Sequence, residues 1–227
     1  MDPEALMQYC LMAPDELEMI FLRQTYGVPH QHGGMLPSEL LVFGSLCWIQ
    51  EVDVIYESGR RFGYSTEVLS RFSVTKDIYS WDLTEQPRDK WLEKNCPNVI
   101  LGIGDSTKYV GQDMVSISGR VALLIDGPKG PPAFEMFDKC KDEVVVCAIH
   151  DLSRRSEKKG VSGGQENMSR TTAEKRFNGC YLEGEDFVAR YGYLDESAWR
   201  RDYNSREDMT RYGFSLGIFP GGKWRGA

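Results

Sequence analysis

Five short polar stretches carry the residue types that could do chemistry in this chain of 227 residues. The first, Glu57-Ser58-Gly59-Arg60-Arg61-Phe62-Gly63-Tyr64-Ser65, follows an apolar Val54-Ile55-Tyr56 run and reads as a strand entering a glycine turn that opens a helix. Gly59 and Gly63 let the backbone turn sharply and approach a ligand, and a helix beginning at Ser65-Thr66 offers its first N–H groups to an anion. Glu57 can accept from an ammonium or a hydroxyl. A zwitterionic ligand suits that pairing. An ordinary strand-turn-helix junction has similar glycines, and the dinucleotide fingerprint G-x-G-x-x-G is a cousin, although its first two glycines are two apart and these are four apart.

The remaining stretches are Asp82, Asp105-Ser106, Asp126-Gly127-Pro128-Lys129 and His150-Asp151. An acid about twenty residues past the glycine turn, at the end of the second strand, can bind both hydroxyls of a ribose, so Asp82 is a ribose candidate or else a helix cap. Asp105 and Ser106 are placed to cap the following helix or to reach an adenine. Asp126, His150 and Asp151 end neighbouring strands; two carboxylates and an imidazole suit Mg²⁺, Mn²⁺ or another divalent ion. The alternative is a tight Asp-Gly-Pro turn and a hydrogen-bonded histidine. Lys129 projects toward the same cleft, where a neighbouring cation would disfavour its ammonium and make it a general base for a hydroxyl. His30 and His32 form an H-x-H pair in a Gly/Pro loop, a weak metal signal and a better substrate contact. Arg154, Arg155, Lys158 and Lys159 read as a solvated face, or as a guide for an anionic acceptor.

These residues need a scaffold, and the hydrophobic pattern supplies one. Apolar runs at residues 52–56, 77–81, 99–103, 121–125 and 144–149 alternate with helix signals at 66–72, 85–95, 108–115 and 132–140, the order of βαβ units in a parallel sheet. The 121–125 run is apolar throughout, as a strand covered on both faces should be. In such a sheet, ligands bind beyond the carboxyl ends of the strands. Helical spacing at 15–23 and 37–50, the second capped by Ser38, precedes the first strand, with a lid-like loop at 26–34 between them. Residues 153–178 are polar and glycine-rich and suit disorder or a mobile lid. Runs at 187–193 and 212–219 suggest an antiparallel hairpin at the sheet edge, separated by a polar stretch with Trp199 and Tyr203. The organisation expected is one domain over 1–227: helices and lid loop at 1–50, a cofactor-binding core at 51–152, a mobile insertion at 153–180 and edge strands at 181–227.

Composition bounds the reading. A 41% hydrophobic chain of this length can bury one substantial core. A net charge of −7 and a pI near 5.1 argue against a nucleic-acid binder, which needs a basic face. No apolar run approaches the ~20 residues of a membrane span, and the start Met1-Asp2-Pro3-Glu4 is acidic where a signal peptide is basic, so a soluble cytoplasmic protein with no membrane partner is expected. Six cysteines without C-x-x-C spacing suggest free thiols in a reducing compartment.

Taken together, the segment 37–152 resembles the class I S-adenosylmethionine-dependent O-methyltransferases. The glycine turn is similar to the E-x-G-x-x-x-G-Y-S loop of the catechol and caffeoyl-CoA types, and Asp126-Gly127-Pro128-Lys129 matches their D-x-x-K. The resemblance implies a Rossmann-like α/β fold, a mostly parallel seven-stranded sheet with an antiparallel edge hairpin and N-terminal helices. It assigns the cofactor S-adenosyl-L-methionine to Glu57, Gly59, Gly63, Tyr64, Ser65, Asp82, Asp105, Ser106 and Asp126. It gives a divalent cation, Mg or Mn, to Asp126, His150 and Asp151, and catalysis to Lys129, Asp126 and His150. Catechol-type enzymes carry Asp-Asn where this chain has His150-Asp151, which is closer to the acid-Asp pair of cephalosporin-hydroxylase-like and macrolide-sugar O-methyltransferases. That departure favours a sugar, glycan or polyketide-like hydroxyl as acceptor, and leaves a homo-oligomer open. The rival readings are an NAD-dependent oxidoreductase on a Rossmann sheet, a non-catalytic cofactor-binding or scaffold domain, and a nucleic-acid or protein methyltransferase.

Overall fold

A computed structural model of the chain describes residues 2–12, 14–31, 34–73, 76–153, 168–182, 185–196 and 214–225. The five core strands expected from the sequence all form: β1 (Val54–Ser58), β2 (Asp77–Asp82), β3 (Val99–Ile103), β4 (Val121–Ile125) and β5 (Val144–Ser153). They are joined by β6 (Met168–Ser169), β7 (Cys180–Tyr181) and β8 (Phe214–Pro220). The sheet order is β3-β2-β1-β4-β5-β8-β7, with β6 attached to β5. All pairings among β1 to β5 are parallel, and β8 is antiparallel to both β5 and β7. Chain order reverses between β1 and β4, and in open α/β sheets that reversal opens a crevice at the carboxyl ends.

The central strands β1 and β4 are covered on both faces. All five residues of β4 are buried, as are all five of β1, including its polar Glu57 and Ser58. Three helices precede β1: α1 (Pro3–Leu11), α2 (Asp15–Thr25) and α3 (Pro37–Ile49). Ten of the thirteen residues of α3 are buried, so this helix belongs to the core rather than lining the surface. Between the strands lie α4 (Tyr64–Phe72), α5 (Asp89–Asn95), α6 (Ser106–Ser116) and α7 (Pro131–Cys140), and after β5 come α8 (Arg170–Arg176) and α9 (Glu185–Tyr191).

Three expectations are corrected. Helix α1 was not anticipated. Ser38 does not cap α3: its N–H and hydroxyl both donate to Asp195, at 2.9 and 2.6 Å, while Glu39 accepts from the Leu36 N–H at 2.8 Å. The run 187–193 is helix and 3-10 turn rather than a strand. Its two buried aromatics, Phe187 and Tyr191, pack at 5.5 Å between ring centroids, the contact of side chains one helical turn apart. The antiparallel partner of β8 at the edge is therefore β7. The charged part of the polar insertion, residues 154–167, lies outside the described residues, as do His32, Trp199 and Tyr203. Among the described residues no helix is long and apolar enough to cross a membrane, and all six cysteines are buried free thiols.

Candidate active site

The loop from β1 to α4 is held by backbone geometry. Gly59 and Gly63 have φ of +87° and +73°, which L side chains rarely adopt. A β-carbon on Gly59 would stand 2.5 Å from the Gly127 nitrogen, so the loops leaving β1 and β4 touch there. A β-carbon on Gly63 would stand 2.6 Å from Leu92 on α5.

Glu57 sits inside β1, fully buried. Its carboxylate accepts three hydroxyls, from Ser65, Thr66 and Ser80, each at 2.5 Å. These bonds tie the first turn of α4 to β1 and β2, a structural role beyond the ligand contact expected from sequence. Burial raises the Glu57 pKa, and the three hydroxyls offset only part of that. Tyr64 is buried, with its ring edge-on to His30 at 4.8 Å.

At the end of β2, Asp82 accepts the Arg61 N–H at 2.8 Å and the Gln86 side-chain amide at 3.0 Å. Asp105 accepts both the hydroxyl and the N–H of Thr107, at 2.6 and 3.1 Å, so it starts α6 as a capping residue. The Thr107 hydroxyl holds its carboxyl below the ordinary range. Ser106 is buried, 2.6 Å from the Ser58 hydroxyl.

The β4 and β5 ends bring the remaining candidates together. Asp126 Oδ1 lies 2.7 Å from Lys129 Nζ and 2.7 Å from His150 Nδ1. Lys129 Nζ also lies 2.7 Å from Asp151 Oδ2. One ligand atom each from Asp126, His150 and Asp151 fall within 4.8 Å of one another. Two carboxylates and an imidazole at that closeness fit a hard or borderline divalent cation. The convergence depends on an irregularity: the β5–β8 register shifts between Ile149 and Leu152, and Asp151 has φ +62°. The sequence pattern ends this strand at Ile149, whereas β5 runs on to Ser153 with His150 and Asp151 inside the irregularity.

Electrostatically the cluster is tightly coupled. Burial alone would raise the Asp126 carboxyl, yet His150 and Lys129 hold it far below the ordinary carboxylate range. Burial opposes charge on His150, but Asp151, Asp126 and Glu39 together raise its pKa well above the usual imidazole value. Lys129 is likewise raised, against burial, by Asp126 and Asp151. The carboxylates are the cause, and a cation held among them would act on the ammonium in the opposite direction, as the sequence reading expects. Glu39 of α3, 3.4 Å from His150 Nε2, was missed by sequence reading. Its signal was a lone acid in an otherwise apolar helix, buried in the fold.

A small cleft lies between the glycine turn and Asp126. It is lined by Tyr64, Ser65 and Asp126, by Arg61 and Phe62 of the glycine turn, and by Gln31, Gly34 and Met35 of the loop before α3. The loop is fastened by His30, whose Nε2 lies 3.1 Å from the Met35 carbonyl. This gives His30 a structural contact. Arg60, Gln86 and Asp89, which organise the glycine turn from beneath, had no sequence signal.

The fold is the Rossmann-like methyltransferase fold. The methyltransferase domain of bacterial CtHen1-CN matches with a TM-score of 0.51 and 13% identity over 82% of this chain and 100% of that one. A protein described as a putative caffeoyl-CoA O-methyltransferase from Staphylococcus aureus matches with a TM-score of 0.50 and 14% identity, over 96% and 98% of the two chains. An S-adenosylmethionine-dependent O-methyltransferase from Thermotoga maritima matches over 57% of this chain, at 14% identity and a TM-score of 0.41, and there the match spans only about half, 49%, of the other chain. At their identities the first two likenesses establish the fold alone. No protein-family model matches the chain, and no curated protein matches it.

Proposed function

We propose that the protein is an S-adenosylmethionine-dependent O-methyltransferase that methylates a hydroxyl of a small molecule with the help of a divalent cation. The observation that carries the reading is one cleft lined by the glycine-turn residues Tyr64 and Ser65 and by Asp126, which is itself bonded to Lys129 and His150. The glycine turn and the α4 N-terminus would receive the amino-acid end of the cofactor, Asp82 its ribose, and Asp105-Ser106 its adenine. Asp126, His150 and Asp151 would hold the cation.

When bound, the cofactor supplies a methyl group on a sulfonium and the cation supplies Lewis acidity toward the acceptor hydroxyl. The chain's own task is then alignment and proton handling. Asp126 links the cofactor cleft to the cluster, so an acceptor held there lies beside the glycine turn, and positioning of this kind accounts for much of the barrier reduction in a displacement reaction. Lys129 Nζ, whose ammonium a cation held by Asp126 and Asp151 would disfavour, is the group placed to take the acceptor proton. A protein nucleophile is not needed. The His150-Asp151 pair favours a sugar or glycan hydroxyl over a catechol.

The test is transfer of labelled methyl from S-adenosylmethionine to a panel of hydroxylated sugars, polyketides and catechols, with Mg²⁺ or Mn²⁺ added or chelated. Metal-dependent labelling of a hydroxyl supports the reading. Labelling confined to amines, or unaffected by chelation, contradicts its acceptor and metal parts respectively.

A further inference from the structure

Beneath the glycine turn runs a closed circuit of hydrogen bonds that begins and ends in that turn. The Arg60 side chain is fully buried and grips Asp89 with two bonds, Nε to Oδ1 at 2.7 Å and a terminal nitrogen to Oδ2 at 2.6 Å. Its other terminal nitrogen donates to the carbonyls of Ser80 on β2, at 2.7 Å, and Gly102 on β3, at 3.1 Å. Asp89 Oδ2 accepts the Gln86 N–H at 3.0 Å, and the Asp89 N–H returns to the Gln86 carbonyl at 3.1 Å. Gln86 therefore cannot drift from the guanidinium. Its side-chain amide donates to Asp82 Oδ1 at 3.0 Å, while the Arg61 N–H, one residue after Arg60, donates to Asp82 Oδ2 at 2.8 Å.

We propose that Gln86, anchored through Asp89 to the buried Arg60, is a positioning residue that aims the Asp82 carboxylate at a vicinal diol. A carboxylate has about four acceptor sites. With one site on each oxygen fixed by the protein, both oxygens are oriented and each keeps a lone pair for a ligand hydroxyl. The bidentate Arg60–Asp89 pair supplies rigidity that a flexible lysine would not. The same circuit ties the turn after β1 to the ends of β2 and β3, so the diol site and the glycine turn are set by one buried guanidinium. This inference rests on the reading of the cleft as an S-adenosylmethionine site.

The experiment is calorimetric titration of wild type, Gln86→Leu, Asp82→Asn and the double variant with S-adenosylhomocysteine and with its 2′,3′-dideoxy analogue. Gln86 is only half buried, and its backbone bonds to Asp89 survive the Leu replacement. Gln86→Leu should weaken S-adenosylhomocysteine by about tenfold, the loss expected when one charge-assisted bond from a ligand hydroxyl to the misaligned Asp82 carboxylate fails, and leave the dideoxy analogue within about twofold. The double variant should lose no more than Asp82→Asn alone. Equal weakening of both ligands, or an unchanged preference for the diol, overturns the proposal. Wild type that binds neither ligand overturns the cofactor reading and the proposal with it, and that failure is recognised in the unmutated protein.

Discussion

Gly59 and Gly127 meet backbone to backbone: a methyl group built on Gly59 would lie 2.5 Å from the Gly127 nitrogen and 2.9 Å from its α-carbon. The turns that leave β1 and β4 are thus interlocked, and the D-x-x-K stretch is held against the glycine turn rather than merely near it. The obstruction at Gly59 is protein backbone, so a side chain there disturbs both turns before it could fill a ligand cleft.

Gly59→Ala should therefore destabilise the fold as well as weaken cofactor binding. The left-handed backbone costs about 1–2 kcal/mol for a non-glycine residue, and displacing Gly127 adds to it. Urea denaturation should show a midpoint shift corresponding to about 2 kcal/mol or more. An unshifted midpoint would mean that the two turns move independently.

Lys129→Met should leave S-adenosylhomocysteine affinity within about twofold and reduce turnover by about 10²- to 10⁴-fold, the range for loss of a general base. Single-turnover methyl transfer separates the two effects. Unchanged turnover would remove Lys129 from the chemistry and leave it as the counter-ion of Asp126 and Asp151.

Chelation should suppress turnover without abolishing cofactor binding, with Mn²⁺ or Mg²⁺ restoring it in wild type but not in Asp126→Ala or Asp151→Ala. Restoration in either variant would take that carboxylate out of the cation site.

The Arg60–Asp89 pair gives the fold an acid limit. Burial by itself would raise the Asp89 carboxyl, but the Arg60 bonds and the Gln86 N–H bring it below its ordinary value. A depressed carboxyl contributes stability that is present above the unfolded-state pKa, about 3.9, and is lost as pH falls through the folded value. Asp89→Asn should cost about 3 kcal/mol at neutral pH, because it leaves a buried guanidinium poorly paired. It should also flatten the decline of stability below about pH 4. An acid limb as steep in the variant as in wild type would assign the decline to other carboxylates.

Much of this arrangement was legible in the sequence, because strands covered on both faces announce themselves as apolar runs and because strand ends are where polar clusters occur. Val121 to Ile125 and the acid after it are the plainest case. What the sequence did not reveal depends on contacts between distant segments. Arg60 looks like a solvated loop residue until β2, β3 and Asp89 close around it. Ser38 looks like a helix cap until Asp195, far along the chain, takes its N–H and hydroxyl. Phe187 and Tyr191 fit either period over so short a run, and only their packing makes the segment helical. The irregularity of β5 that sets His150 beside Asp126 and Asp151 beside Lys129 lies in its pairing with β8, which no local pattern encodes.

In the proposed function the cleft between the glycine turn and Asp126 binds S-adenosylmethionine. Calorimetric titration of the purified protein with S-adenosylhomocysteine, alongside NAD, tests it most directly. Binding of S-adenosylhomocysteine at micromolar strength with no response to NAD is the predicted result. Silence toward S-adenosylhomocysteine with heat from NAD would contradict the account and recast Asp82 and the glycine turn as a dinucleotide site.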